Sequence, residues 1–460
     1  MSFVSTLPAP ALAERVPSKG RYHDIYFAAL LLCVAAYGLT GKGFAYAGIA
    51  PFFPGEIMLL AGLVTFLLPF PSLAVFISPP SILLAMLMVL TIARTIPFIG
   101  IYKIDALRDT VIVMYGIFGF VIANLILEKP TRIDQAMRWA GTFFTIYGFA
   151  AAVIYVSQKY LGNVIPHWPG SDTPLIALRG GEVAVQAGGA ALFGLLGLKR
   201  STLAWVVMLF LGVVVVSAQS RGGMLAVVVP LLLAAVLTGR FKALFLLMLG
   251  VLPIVFVLYV TNFEVPMQSD RRTVTVPQLV DNVASIVVKT DSSDHTLDDT
   301  KAWRLKWWNK IIGYTIEGQY FWNGKGFGIS LAESDGFLGT GGNGPPLRSP
   351  HSAHMTILAR TGVPGFVLWI ATGLAWLWTM GRSIYLSRRR GDDLWSRMLI
   401  FVFCDWIGCI INSSFDVALE GPMVGVLFWV LFGSGIGLSL TYEALCRERL
   451  ANQRAEANPW

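Results

Sequence analysis

RGGMLAVVVPLLLAAVLTGRFK, residues 221–242, decides the fold class. From 221 to 238 the stretch is apolar after its opening Arg221, and it closes on Arg240 and Lys242. A helix needs roughly 17 to 25 residues to cross the hydrocarbon core of a bilayer, so this segment reads as one membrane span whose basic end faces the cytoplasm. The same pattern recurs outward in both directions, at 25–40, 55–70, 79–97, 109–127, 137–157, 183–198, 202–219, 241–261, 353–381, 397–413 and 419–441. The composition agrees: 55% of residues are hydrophobic and only 13% charged, with a mean hydropathy of +0.65, well outside the range of a soluble domain. The reading is an all-α polytopic membrane protein of about 12 transmembrane helices. Residues 1–24 are polar, and no small-residue cleavage site follows the apolar run that starts near Ile25, so that run reads as an uncleaved first span.

Basic residues beside a span resist translocation, which makes their distribution a record of orientation. With the N-terminus inside, eighteen Lys and Arg residues fall on the cytoplasmic side, among them Arg240, Arg388, Arg389 and Arg390, against six in the short connections opposite. Both termini are therefore expected in the cytoplasm of an inner-membrane protein. The same asymmetry explains most of the net charge of +8 through anionic lipid headgroups, with no nucleic acid required. The run at 388–390 is read as a topology determinant and not as a binding site. Cys33, Cys404, Cys409 and Cys446 all lie in spans or the cytoplasmic tail, so no structural disulfide is expected.

One connection is long. Residues 262–352 are polar enough to fold outside the bilayer, and they divide the chain into a tail at 1–24, spans one to nine at 25–261, this loop, spans ten to twelve at 353–441, and a tail at 442–460. The loop holds an aromatic and basic helix candidate, KAWRLKWWNKIIGY at 301–314, then GKGFG at 324–328, which lacks the spacing of a phosphate loop and reads as a tight turn. Loops of this length in a compact protein are usually functional. Polar and ionisable residues collect at the same, non-cytoplasmic ends of the spans: Arg94, Asp105, Arg108, Asp109, Arg179, Glu182, Arg221, Asn412, Asp416 and Glu420. Such groups are expensive in a bilayer, so an outward aqueous cavity under the loop is the simplest way to solvate them. Asp405 is the mid-span exception.

SAQSRGGMLAVVVPLLLAAVL (217–237), WRLKWW and GKGFG in the loop, and SPHSAHMTILARTGVPG (349–365) together resemble the O-antigen ligase and polymerase family of bacterial envelope glycosyltransferases. The family pattern of an Arg in a Ser-Arg-Gly turn, an Arg in the long loop, a glycine turn and a His ahead of a Gly is met by Arg221, Arg304, Gly324 to Gly328, and His351 with Gly362. GKGFAYAGIAPFFPGE (41–56) and YKIDALRDT (102–110) resemble exopolysaccharide-associated members. One departure is Ser352, where many relatives have Asn.

The resemblance implies a GT-C-like architecture and a metal-independent transferase without a cofactor. It would take a glycan from undecaprenyl diphosphate and join it to the hydroxyl of a saccharide or lipid-linked acceptor on the periplasmic side. Arg221 and Arg304 would neutralise the diphosphate, a task for planar guanidinium groups. His351 would take or orient the acceptor proton. Arg94, Arg108, Arg179, Glu182, Arg348 and Asp416 would line the substrate sites. Each has a plainer reading: Arg221 as a headgroup anchor, Arg304 on an interfacial amphipathic helix, His351 as a helix-start residue, and His23, His167 and His295 as structural or solvated. His354, one turn into span ten, is expected to pack. A transporter or flippase would also gather charge in an outward cavity, but it predicts internal repeats and polar spans, and a scaffold would use the loop for partners. Ligase and polymerase share the donor site; the late position of the long loop leans toward ligases.

Overall fold

The computed structural model describes residues 20–49, 52–67, 72–162, 164–169, 173–217, 220–246, 295–338 and 347–457, with the single positions 249, 256 and 260. The described residues are helical throughout their regular structure. The principal helices are α1 Gly20–Thr40, α2 Pro54–Leu67, α3 Pro79–Tyr102, α4 Gly116–Glu128, α5 Thr131–Tyr160, α6 Gly180–Leu195, α7 Leu203–Ser217 and α8 Arg221–Thr238. There follow α9 His295–Thr315, α10 Leu331–Asp335, α11 Ala353–Arg389, α12 Asp393–Phe415 and α13 Pro422–Ala457. Among the described residues, seven helical segments are long and apolar enough to cross a membrane, and Pro54–Leu67, Leu203–Val216 and Gly222–Thr238 are shorter apolar helices. The architecture is an all-α, polytopic membrane protein.

Sequence and structure differ in detail. The span read at 109–127 corresponds to Val111–Glu128, in which the short helix Val111–Met114 leads into α4 at Tyr115, and the short helix Ile104–Asp109 precedes it. The span read at 241–261 and the loop from 261 to 294 lie mostly or wholly outside the described residues, as do His295's side chain and the tails at 1–19 and 458–460.

Small residues set how closely the helices approach, because apolar side chains gain little by leaving lipid for protein. A Cβ at Gly433 of α13 would meet the Gly119 carbonyl of α4 at 2.2 Å, and one at Gly408 of α12 would meet the Ala226 carbonyl of α8 at 3.0 Å. Large aromatics fill what remains: Trp376 of α11 is fully buried between Trp406 and Phe432 and donates to the Phe432 carbonyl at 2.8 Å.

The two ends of the bundle are chemically distinct. At one end Asp24 pairs with Lys129 and Arg132, His23 meets Glu128 at 2.8 Å, and Asp392 accepts from Tyr442 and Arg449. At the other end sit the connections carrying Lys42, Arg179, Asp416 and the long loop. There the Lys42 N–H donates to the Ala177 carbonyl at 2.9 Å, and Trp168, beside His167, donates to the Gly43 carbonyl. All four cysteines are free and buried.

The described part of the long loop lies against the start of α11. Trp307, Ile311, Leu331 and Ala332 form a second apolar cluster with Leu358 and Ala359. Asp335 anchors it, accepting from Trp307 at 2.7 Å and Tyr314 at 3.3 Å and pairing with Lys325. The aromatic run read as a helix at 301–314 falls within α9.

Candidate active site

His351 occupies the turn between the loop and α11. Pro350 ahead of it and Ser352 behind it explain the geometry: the Ser352 side chain accepts from the Met355 N–H and caps α11, so the chain must turn sharply at His351. The turn puts His351 at φ 52°, in the left-handed region that non-glycine residues seldom adopt. Such strain persists only where neighbours impose it. Here Trp308 donates to the Pro350 carbonyl at 2.8 Å, and Trp303 stands edge-on to the imidazole at 6.2 Å.

Arg304, one residue along α9 from Trp303, donates to the carbonyl of Phe415, the last residue of α12, at 3.0 Å. The next residue, Asp416, brings its carboxylate to 3.9 Å from His351 Nδ1. Three segments distant in sequence therefore place a guanidinium, an imidazole and a carboxylate together. Burial lowers the His351 pKa from its ordinary value, the Arg304 and Arg179 cations lower it further, and Asp416 opposes them. A neutral imidazole that can accept a proton at neutral pH is the result.

Arg179 and Arg221 begin the two helices that border this point. Arg179 is exposed at the N-cap of α6, where its N–H donates to the buried Glu182 carboxylate at 3.2 Å. Glu182 is thus engaged in closing its own helix. Arg221 is the first residue of α8, which Ser220 caps by accepting from the Gly223 N–H at 3.0 Å; the Arg221 side chain lies outside the described residues. Its backbone neighbour is informative, since a Cβ at Gly222 would meet Phe415 at 2.9 Å. Arg221 is therefore one residue from contact with the segment that holds Arg304 and Asp416.

His354 is differently placed. The Trp369 indole, which can only donate, gives its N–H to His354 Nδ1 at 3.0 Å, leaving Nε2 to carry the proton toward Ser414 Oγ at 3.0 Å. One nitrogen thus bridges the two halves of α11 across its break at Gly362, and the other ties α11 to α12.

Arg108 and Arg348 belong to a second cluster, centred on Asp109. Arg348 holds Asp109 with two hydrogen bonds of 3.1 and 3.0 Å, the fully buried Arg360 pairs with it at 2.9 Å, and the Gly328 N–H donates to it at 3.1 Å. Arg108 pairs with Asp105 at 3.1 Å. Gly324, Gly326 and Gly328 all have positive φ. They let the turn lie flat on α11: the Lys325 and Gly326 N–H groups donate to the carbonyls of Ala359 and Arg360, and a Cβ at Gly324 would meet Arg360 carbon at 2.3 Å. The helix accommodates this by breaking at Gly362, φ 70°. GKGFG is thus a docked turn. Arg94, in α3 one turn before Phe98 and two before Tyr102, whose rings pack on Gly326 and Gly328, keeps a buried Nε without a hydrogen-bond partner among the described residues.

The sequence reading passed over Arg360, although a charge seven residues into an apolar helix is the signal that should mark it. It also undervalued Glu420, which accepts from Thr356 at 2.8 Å and from Ser349, and whose pKa burial raises.

Residues 205–370 match the family model of the O-antigen ligases. No curated protein matches the chain. The matched segment runs from within α7 through α8 and the long loop into the first part of α11, so it includes Arg221, Arg304, Arg348, His351 and Arg360. Asp109, Arg179, Asp416 and Glu420 come from outside it, and flanking helices complete the two clusters.

Proposed function

We propose that the protein is a periplasm-facing glycosyltransferase of the ligase or polymerase type, moving a glycan from a lipid-diphosphate carrier to an acceptor hydroxyl. The observation that carries this reading is the convergence of Arg304, His351 and Asp416 beside the starts of α6 and α8. In the reaction, the acceptor oxygen attacks the anomeric carbon as His351 takes its proton. The bond from that carbon to the diphosphate breaks, and the leaving oxygen departs with the electron pair. Arg304 and Arg221 neutralise the charge that grows on the diphosphate, Arg179 adds to the field, and Asp416 stabilises the imidazolium. The transporter reading has no comparable use for a strained imidazole paired with a carboxylate.

We assign Arg348 and Glu182 to holding the structure around the site, and Arg108 to an exposed pair with Asp105, in place of the substrate contacts first expected of them. Arg94, with its unmatched Nε, keeps a place among donor-binding residues. Since guanidinium groups supply the charge neutralisation, no divalent ion is needed. The test is transfer by purified protein from a lipid-diphosphate-linked glycan. Arg221→Lys and Arg304→Lys should each lose most activity while inserting normally, because Lys keeps the charge but not the planar fork, and EDTA should change nothing. Full activity in both variants, or loss on chelation, removes the arginine mechanism.

A further inference from the structure

At the end of the bundle opposite His351, the turn after α8, the end of α11 and the first turn of α12 border a half-open cavity of about 140 Å³. Arg240, Arg388 and Arg397 line it, with Asp393 and the hydroxyl residues Thr238 and Ser396. Basic residues in such connections ordinarily splay into water or headgroups. These three come from different elements and converge.

Each guanidinium is tied at one corner to a carbonyl at a helix end. Arg240 donates to Leu195 at 3.1 Å, Arg397 to Leu196 and Gly197 at 3.5 Å, and Arg388 to Leu237. A guanidinium carries five N–H donors, so these bonds fix each fork without exhausting it. The one carboxylate, Asp393, is 76% exposed and paired with Arg397 at 3.0 Å. Three cations against one anion leave the cavity with an excess of two positive charges. Fixed planar forks with that excess match the oxygens of a phosphate group.

The level of the cavity names the source. α8 ends at Thr238, α11 ends at Arg389 and α12 begins at Asp393, so the cavity opens where the apolar helices stop and lipid headgroups begin. We propose that it binds a phosphate group, supplied in the membrane by the headgroup of an anionic phospholipid. Arg389 and Arg390 keep the topological role read from the sequence, while Arg388 is drawn into the site.

The test is the thermal unfolding midpoint of the full-length protein in neutral detergent, titrated with phosphatidylglycerol, phosphatidylcholine or inorganic phosphate. Phosphatidylglycerol should raise the midpoint, and phosphatidylcholine should not. Arg240→Gln and Arg397→Gln should each need about tenfold more phosphatidylglycerol for half of the effect. Arg240→Lys, which keeps charge and a helix-end donor, guards against a variant that fails to fold and should show the same weakening. Arg447→Gln, at a side chain 81% exposed, should behave as wild type. An equal response in all variants would overturn the site. Inorganic phosphate that reproduces the shift and competes with the lipid would overturn the lipid assignment while supporting the phosphate site.

Discussion

At the scale of single residues, the two histidines of PHSAH separate by what their nitrogens touch. His354 spends both on Trp369 and Ser414, whereas His351 faces Asp416 across 3.9 Å and lies beside Arg304's helix. His351→Ala should abolish transfer at normal protein level. His354→Ala should cost about 1–3 kcal/mol of stability, through buried partners left unmatched, yet keep a substantial fraction of transfer per folded molecule; the opposite result would move the mechanism to position 354. Rate against pH gives a second check. The base must be neutral, so transfer falls as pH drops through the His351 pKa, which lies below its ordinary 6.5. Asp416 favours the protonated form, so Asp416→Asn should move the acid limb to lower pH, and Arg179→Gln, which removes an opposing cation, should move it to higher pH. No movement in either variant would separate these groups from the base.

At the scale of elements, the loop is fastened to the bundle through Asp109. This carboxylate receives Arg348, Arg360 and the Gly328 N–H, so one side chain joins the turn after α3, the GKGFG turn and α11. Removing one partner of a buried ion pair leaves the other charge unmatched, at about 3–5 kcal/mol. Asp109→Asn should therefore lower the melting temperature and reduce transfer by loosening the loop. Arg108→Gln, at a side chain 53% exposed, should do neither, since exposed pairs contribute at most about 1 kcal/mol. Comparable melting of both variants would mean that the clamp lies elsewhere.

At the scale of the whole molecule, the orientation expected from the distribution of Lys and Arg is open to a direct test. A phosphatase reporter fused after Gly342 should be active and one after Arg390 inactive. The reverse signals would put His351 in the cytoplasm, where nucleotide sugars and not lipid-diphosphate glycans would be the donors. The helical class, the basic end and the aromatic α9 were legible in the sequence, because a bilayer demands long apolar helices and records the sidedness of Lys and Arg locally. Arg221, Arg304 and His351 were singled out by motif spacing; the structure brings Arg304 near His351 through Phe415 and Asp416, and transfer by their variants tests the roles proposed for all three. The break of α11 at Gly362 and the Asp109 cluster were not legible, because they depend on which turn lies against which helix. Arg348 and Glu182 show the limit from the other side: their residue types fit a substrate site, but packing pairs Arg348 with the buried Asp109 and the buried Glu182 with the Arg179 N–H. Local sequence fixes what must be solvated by lipid; only packing decides which of the remaining charges meet each other and which stay open to a ligand.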